Sequence, residues 1–118
     1  MKILSRSFLF FLIMLFISTS AFSEKRATSD DIYLEGKRHY DNKKFFKAAP
    51  LLKKAAEMGH PEAQMHLGKL YYNGWGIKHD HHKALEWHKK AAAQGNAESQ
   101  KKLKEINEKQ KNKFPLHH

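Results

Sequence analysis

The chain has 118 residues, 22 basic against 12 acidic side chains, a net charge of +10 with neutral histidines, and no cysteine. That length holds one small domain, and the missing cysteine excludes a disulfide framework, a thiol nucleophile and lipid attachment at an N-terminal cysteine. The charge attracts anionic partners in a salt-dependent way.

Residues 1–23 read as a secretory signal. Lys2 and Arg6 precede the apolar run 8–17, and Ala21 and Ser23 offer small residues for cleavage after Ser23. An uncleaved membrane anchor is the alternative, but ten apolar residues fall short of the about 20 that a span needs. The predicted mature domain is 24–113, followed by a flexible tail at 114–118. Loss of Lys2 and Arg6 lowers the charge to +8. An exported chain meets anionic lipid, acidic polymers and acidic proteins, so nucleic acid is not an expected partner.

Helical periodicity then runs through the rest of the chain. Ile32, Gly36, His39 and Tyr40 share a stripe in a helix α1 over 29–41. Phe45, Ala48, Leu52 and Ala55 do so in α2 over 44–58. Ala63, Leu67, Leu70 and Tyr71 mark α3 over 61–73. Ala84, Trp87 and Ala91 mark α4 over 81–94, and Leu103 and Ile106 mark α5 over 97–111. Asp80 is placed to cap α4 and Pro61 suits the first position of α3. Pro50 removes one hydrogen bond inside α2, which predicts a kink or a late start.

One phrase occurs twice. "KKAAEMGHPEAQ" begins at Lys53 and "KKAAAQGNAESQ" begins 36 residues later at Lys89. Each reads as a last helical turn, a glycine stop at Gly59 or Gly95, and the first turn of the next helix. Two helices in a unit of 30–40 residues predict an all-α fold, a short α-solenoid of antiparallel helix pairs. The units fall at 29–60 and 61–96, with 97–111 as a lysine-rich capping helix. Gly36, Gly68, Ala48, Ala84, Ala55 and Ala91 are placed where helices cross closely. Two units and a cap fall short of the about three stacked repeats a solenoid generally needs, so either marginal stability alone or stabilisation by self-association is expected.

The segment 63–95 closely resembles one Sel-1-like repeat. The motif residues are Leu67, Gly68, Tyr71, Gly74, Gly76, Asp80, Lys83, Ala84, Trp87, Ala91, Ala92 and Gly95. The first unit lacks the Gly-x-Gly loop: Gly36 to Ala48 spans 12 residues where Gly68 to Ala84 spans 16. It is similar to a tetratricopeptide repeat. The resemblance implies a superhelix that binds a protein or peptide, whose inner helices line a concave groove. Aligning Gly36 with Gly68 then points Tyr33, Lys37, Tyr40 and Asp41 of α1, and Met65, Lys69, Tyr72 and Asn73 of α3, into that groove. Lys37 and Lys69 would suit an acidic ligand.

A second reading uses "HDHHKALEWH". His82 and Glu86 lie four apart on one helical face, and with His79 they are candidate ligands for a divalent metal in an envelope protein that binds metals or anions. No third ligand is fixed by spacing. His88 corresponds to Leu52 of the other unit and is expected to pack partly buried. No cofactor is implied. Ser99 has no triad partners at a telling spacing, Glu57 and Glu62 flank a glycine stop, and "NGWGIK" lacks the strand that a dinucleotide loop follows. The chain does not read as an enzyme.

Overall fold

The computed structural model describes residues 26–113. They form α1 (Ser29–Asp41), α2 (Phe45–Glu57), α3 (Pro61–Asn73), α4 (His81–Ala93) and α5 (Ala97–Lys113), with no strand among the described residues. Each helix packs on the next, and α1 also meets α3, so the architecture is a short all-α solenoid. The signal segment, its cleavage site and the tail lie outside the described residues. No helix of the described residues is long and apolar enough to cross a membrane.

The twice-written phrase is a joint that closes one helix and opens another. Gly59 and Gly95 take the left-handed conformation at φ 92° and 93°. The Gly59 N–H donates to Ala56 O at 3.0 Å and the His60 N–H to Ala55 O at 3.1 Å. The second joint repeats the pair: Gly95 N–H to Ala92 O at 3.0 Å, Asn96 N–H to Ala91 O at 3.1 Å. These two bonds satisfy carbonyls that a helix end leaves open. The residue after each glycine then caps the following helix. His60 Nδ1 accepts from the Ala63 N–H at 3.2 Å, and Asn96 Oδ1 accepts from the Ser99 N–H at 2.9 Å.

The glutamine that ends the phrase has the same task in both copies. Gln64 Nε2 donates to Ala56 O, and Gln100 Nε2 donates to Ala92 O, both at 3.1 Å. Gln94 ties the joints together by donating to Gly59 O at 2.9 Å and Gln64 Oε1 at 2.8 Å.

Other helix starts follow local rules. Thr28 and Asp31 form a reciprocal capping box on α1. Asp80 caps α4 by accepting from the Lys83 N–H at 3.0 Å, and this bond holds its carboxyl below the usual range. The expected late start of α2 does not occur: the helix begins at Phe45 and runs through Pro50. Pro50 is exposed and Phe46 is 85% exposed, so water can serve the Phe46 carbonyl that loses its partner.

The links within the two units differ. The short α1–α2 link places Lys43 at φ 58°, a cost that glycine would avoid. The longer α3–α4 link folds back on the start of α2. A Cβ on Gly76 would lie 2.4 Å from the Phe45 carbonyl carbon, so only glycine fits.

Leu52, Leu67, Leu70, Ala48, Ala55, Ala84 and Ala91 are fully buried. The crossings of α1 with α2 and of α3 with α4 rest on Gly36 and Gly68, as expected. A Cβ on Gly36 would meet Leu52 Cδ2 at 3.0 Å, and one on Gly68 would meet the His88 ring at 2.8 Å. The equivalent partners are thus Leu52 and His88. The histidine is fully buried, and burial, with Lys102 and Lys69 nearby, lowers its pKa from 6.5 to about 4.

Two predictions follow from this crossing. Gly68→Ala is expected to lose about 1–3 kcal/mol through overpacking against a rigid ring, read by thermal or urea unfolding. Gly36→Ala should lose less, because a leucine end can shift. As pH falls below about 6.5, the unfolded chain takes a proton on His88 while the folded ring stays neutral. Stability is full above that pH and declines towards pH 4, by on the order of 3 kcal/mol from this group. Burial also lowers the His66 pKa, which acts in the same direction. Urea titrations at pH 7.5 and 4.5 test this, and His88→Leu should flatten the difference; an equal slope in the variant would refute the assignment.

Candidate partner-binding groove

A groove of about 390 Å³ opens between the inner helices. Its walls are Tyr40 of α1, Lys69, Tyr72 and Asn73 of α3, Trp75 of the following loop, and Glu98, Lys101, Lys102 and Glu105 of α5, with His88 of α4 completing it. Helix geometry brings the α3 group together: Lys69, Tyr72 and Asn73 stand three and four residues apart and share a face.

Four of the eight residues expected in the groove line it: Tyr40, Lys69, Tyr72 and Asn73. Tyr40 is half-buried, edge-on to His66 at 4.7 Å and to Phe45 at 5.5 Å. Burial raises its hydroxyl pKa, with Glu98 and Asp41 adding to the effect. Tyr72 stacks on His81 at 4.7 Å and carries the Lys102 ammonium at 4.5 Å over its ring. Asn73 Nδ2 donates to Lys69 O at 3.0 Å.

The other four are placed differently. Tyr33 is buried and stacks on His60 at 4.2 Å, whose Nε2–H donates to Asp30 Oδ1 at 2.9 Å. Met65 is buried in α3. Lys37 pairs with Asp41 at 2.7 Å on the surface of α1. Neither of them lines the groove. Lys69 is engaged by Glu98, and this bond holds the Glu98 carboxyl below the usual range. The two lysines expected to greet an acidic ligand therefore already have carboxylates.

The contribution of α5 was not anticipated. The 36-residue register extends into that helix: Lys101 matches Met65, Lys102 matches His66 and Glu105 matches Lys69. Carrying the register one helix further would have found them. Trp75 had a weaker signal, a large ring between two loop glycines. It is 40% exposed and stacks on Phe45 at 4.8 Å.

The metal candidates do not converge. His82 Nε2 lies 3.2 Å from Glu86 Oε1, as the i, i+4 spacing predicts. His79 instead sits in the loop, edge-on to His81 at 4.3 Å and close to Gly74. No group of three such donors among the described residues could hold a metal ion.

A family model described as the Sel1 repeat matches residues 31–60 and 61–96. No curated protein matches the chain. Sel1 repeats generally mediate contacts between proteins, on a repeat scaffold rather than a catalytic one. The matched segments coincide with the two helix pairs and end at the two glycine joints, so the first unit is a full repeat despite its shortened link. The chain belongs to the Sel1 repeat family.

Proposed function

We propose that this chain is an exported, non-catalytic scaffold that holds a segment of another protein in the groove lined by α1, α3 and α5. One observation carries the reading: Trp75, Tyr40 and Tyr72 present ring surface to an open groove of about 390 Å³, a size suited to a few side chains. Aromatic rings offer large contact area at low entropy cost. Apart from Trp75 in the α3–α4 link, the groove walls belong to helices anchored by the joints, so a partner meets a largely preformed surface and less ordering entropy opposes binding.

Export is part of the proposal and rests on Lys2, Arg6, the apolar run 8–17 and the small residues Ala21 and Ser23. Cleavage after Ser23 leaves a chain that begins at Glu24, in the periplasm or the medium. Intact-mass measurement on secreted or periplasmic material checks this. A mass that includes Met1 through Ser23 would rule cleavage out.

Partner capture is expected to fall at least tenfold in the double variant Tyr72→Ala, Trp75→Ala, as two aromatic anchors commonly contribute that much. Affinity capture from an envelope extract, with helicity followed by circular dichroism, makes the test. Equal capture of the same protein by parent and variant would move the binding surface away from the groove.

A further inference from the structure

The two ends of the solenoid differ in what they offer. Inside the stack, each inner helix reaches back to the one before it. His66 of α3 lies edge-on to Tyr40 at 4.7 Å, and Lys102 of α5 sits over the Tyr72 ring at 4.5 Å. Gln94 adds a link by donating to Gly59 O, in the joint before its own unit. The repeat register carries His66 back to Leu34 and Gln94 back to Met58. No unit precedes these two among the described residues, and both are exposed apolar side chains, at 61% and 52%. Scattered apolar residues are ordinary on a protein surface. Leu34 and Met58 are not scattered: they stand where the chain elsewhere joins unit to unit. Leu51, half-buried beside Gly36, lies seven residues before Met58 and extends the strip along α2.

Charge indicates what covers this face. The α1 side carries Asp31 and Glu35 beside Leu34, with Arg38 as the opposing charge. The α2 side is basic, because Lys47, Leu51, Lys54 and Met58 follow one another at steps that keep a single helical stripe. Glu35, Lys47 and Lys54 are exposed and make no ion pair among the described residues. An acidic helix beside a basic one is self-complementary. A two-fold axis parallel to the helices lays α1 of one copy on α2 of the other, twice. Rotation about that axis keeps each residue's height, and Gly36 is level with Leu51 and Leu52. Leu34 and Glu35 of one copy therefore come level with the turn from Leu51 to Lys54 of the other. The C-terminal end lacks a matching face. In α5 the place of Tyr72 falls to Glu108 and that of Gly68 to Lys104, both exposed. A head-to-tail stack would set Leu34 on a carboxylate, which disfavours an open filament.

We propose that two copies of this chain join head to head through Leu34, Leu51 and Met58, with Glu35 of each copy set against Lys54 of the other. The pair stacks four units in line, above the about three that a solenoid generally needs. None of these residues lines the groove, so the pairing and the groove assignment stand or fall separately.

Sedimentation equilibrium across the micromolar range tests the pairing, on the chain in the form that cells expressing the full sequence yield. A mass of two chains is expected, with a Tm that rises with protein concentration. Leu34→Glu should weaken the dimer at least about tenfold with helicity by circular dichroism unchanged, since the substitution is met twice in a two-fold pair. Glu35→Lys and Lys54→Glu should each do the same by setting like charges together. An equimolar mixture of those two variants should recover the dimer, because acid then faces base at both contacts. A monomer at every concentration would overturn the proposal and leave the face to residues before Arg26 or to a different protein. A dimer that Leu34→Glu leaves intact would overturn it by placing the contact elsewhere. Masses that grow beyond two chains would overturn the closed pair. Failure of the mixture to recover would overturn the placing of α1 on α2.

Discussion

Everything in this solenoid depends on how a helix stops inside a packed protein without leaving open backbone groups. A helix end exposes carbonyls, and the next helix start exposes N–H groups. The joints at Gly59 and Gly95 satisfy both within a few residues. The left-handed glycine returns two N–H groups to the old helix, and His60 or Asn96 accepts an N–H from the new one. Gln64 and Gln100 add a side-chain bond to a carbonyl near the end of the preceding helix. The chain turns the same way twice because the same bonds recur, and Gln94 locks one turn to the other.

A fixed turn permits close crossing, and close crossing decides which side chains are tolerated. Gly36 and Gly68 remove the methyl group that would hold the paired helices apart. The vacated volume goes to Leu52 in one unit and to His88 in the other. Leucine fills it without polar obligations. Histidine brings two ring nitrogens into a fully buried place, and only Nδ1 finds a hydrogen-bond partner among the described residues. The second unit therefore trades some stability for a polar group next to the groove, and the buried ring stays neutral.

Charge follows the same division. Lysines of α1 and α3 are matched inside the fold, Lys37 by Asp41 and Lys69 by Glu98. These are partly exposed pairs, worth little in stability, but they remove the cations from competition for a ligand. The groove residues of α5 are balanced in charge, Lys101 and Lys102 against Glu98 and Glu105, and Lys101 is the groove lysine without an ion pair among the described residues. That helix continues the repeat register, so it supplies a third inner wall as well as covering the end of the stack.

Much of the fold was legible in the sequence because it rests on local rules. Apolar periodicity marked five helices. The glycines, Asp80 and Pro61 marked their ends, and the repeated phrase marked the stacking period. These signals act over a few residues, so they read directly from the chain. Four of the expected groove residues, Tyr40, Lys69, Tyr72 and Asn73, line one cavity, and the last three share a face of α3 for the same local reason. The rest required tertiary structure. Whether Tyr33 points into a groove or onto His60 depends on the rotation of α1 against α3. Whether Lys69 is free depends on Glu98, 29 residues further along the chain. That His88 packs in part was expected from its match with Leu52, and the structure buries it fully. That its Nε2 packs against Gly68 with no hydrogen-bond partner among the described residues is a consequence of how α3 and α4 cross, because an unmet hydrogen bond is a property of the packed interior and not of any residue's place in the sequence.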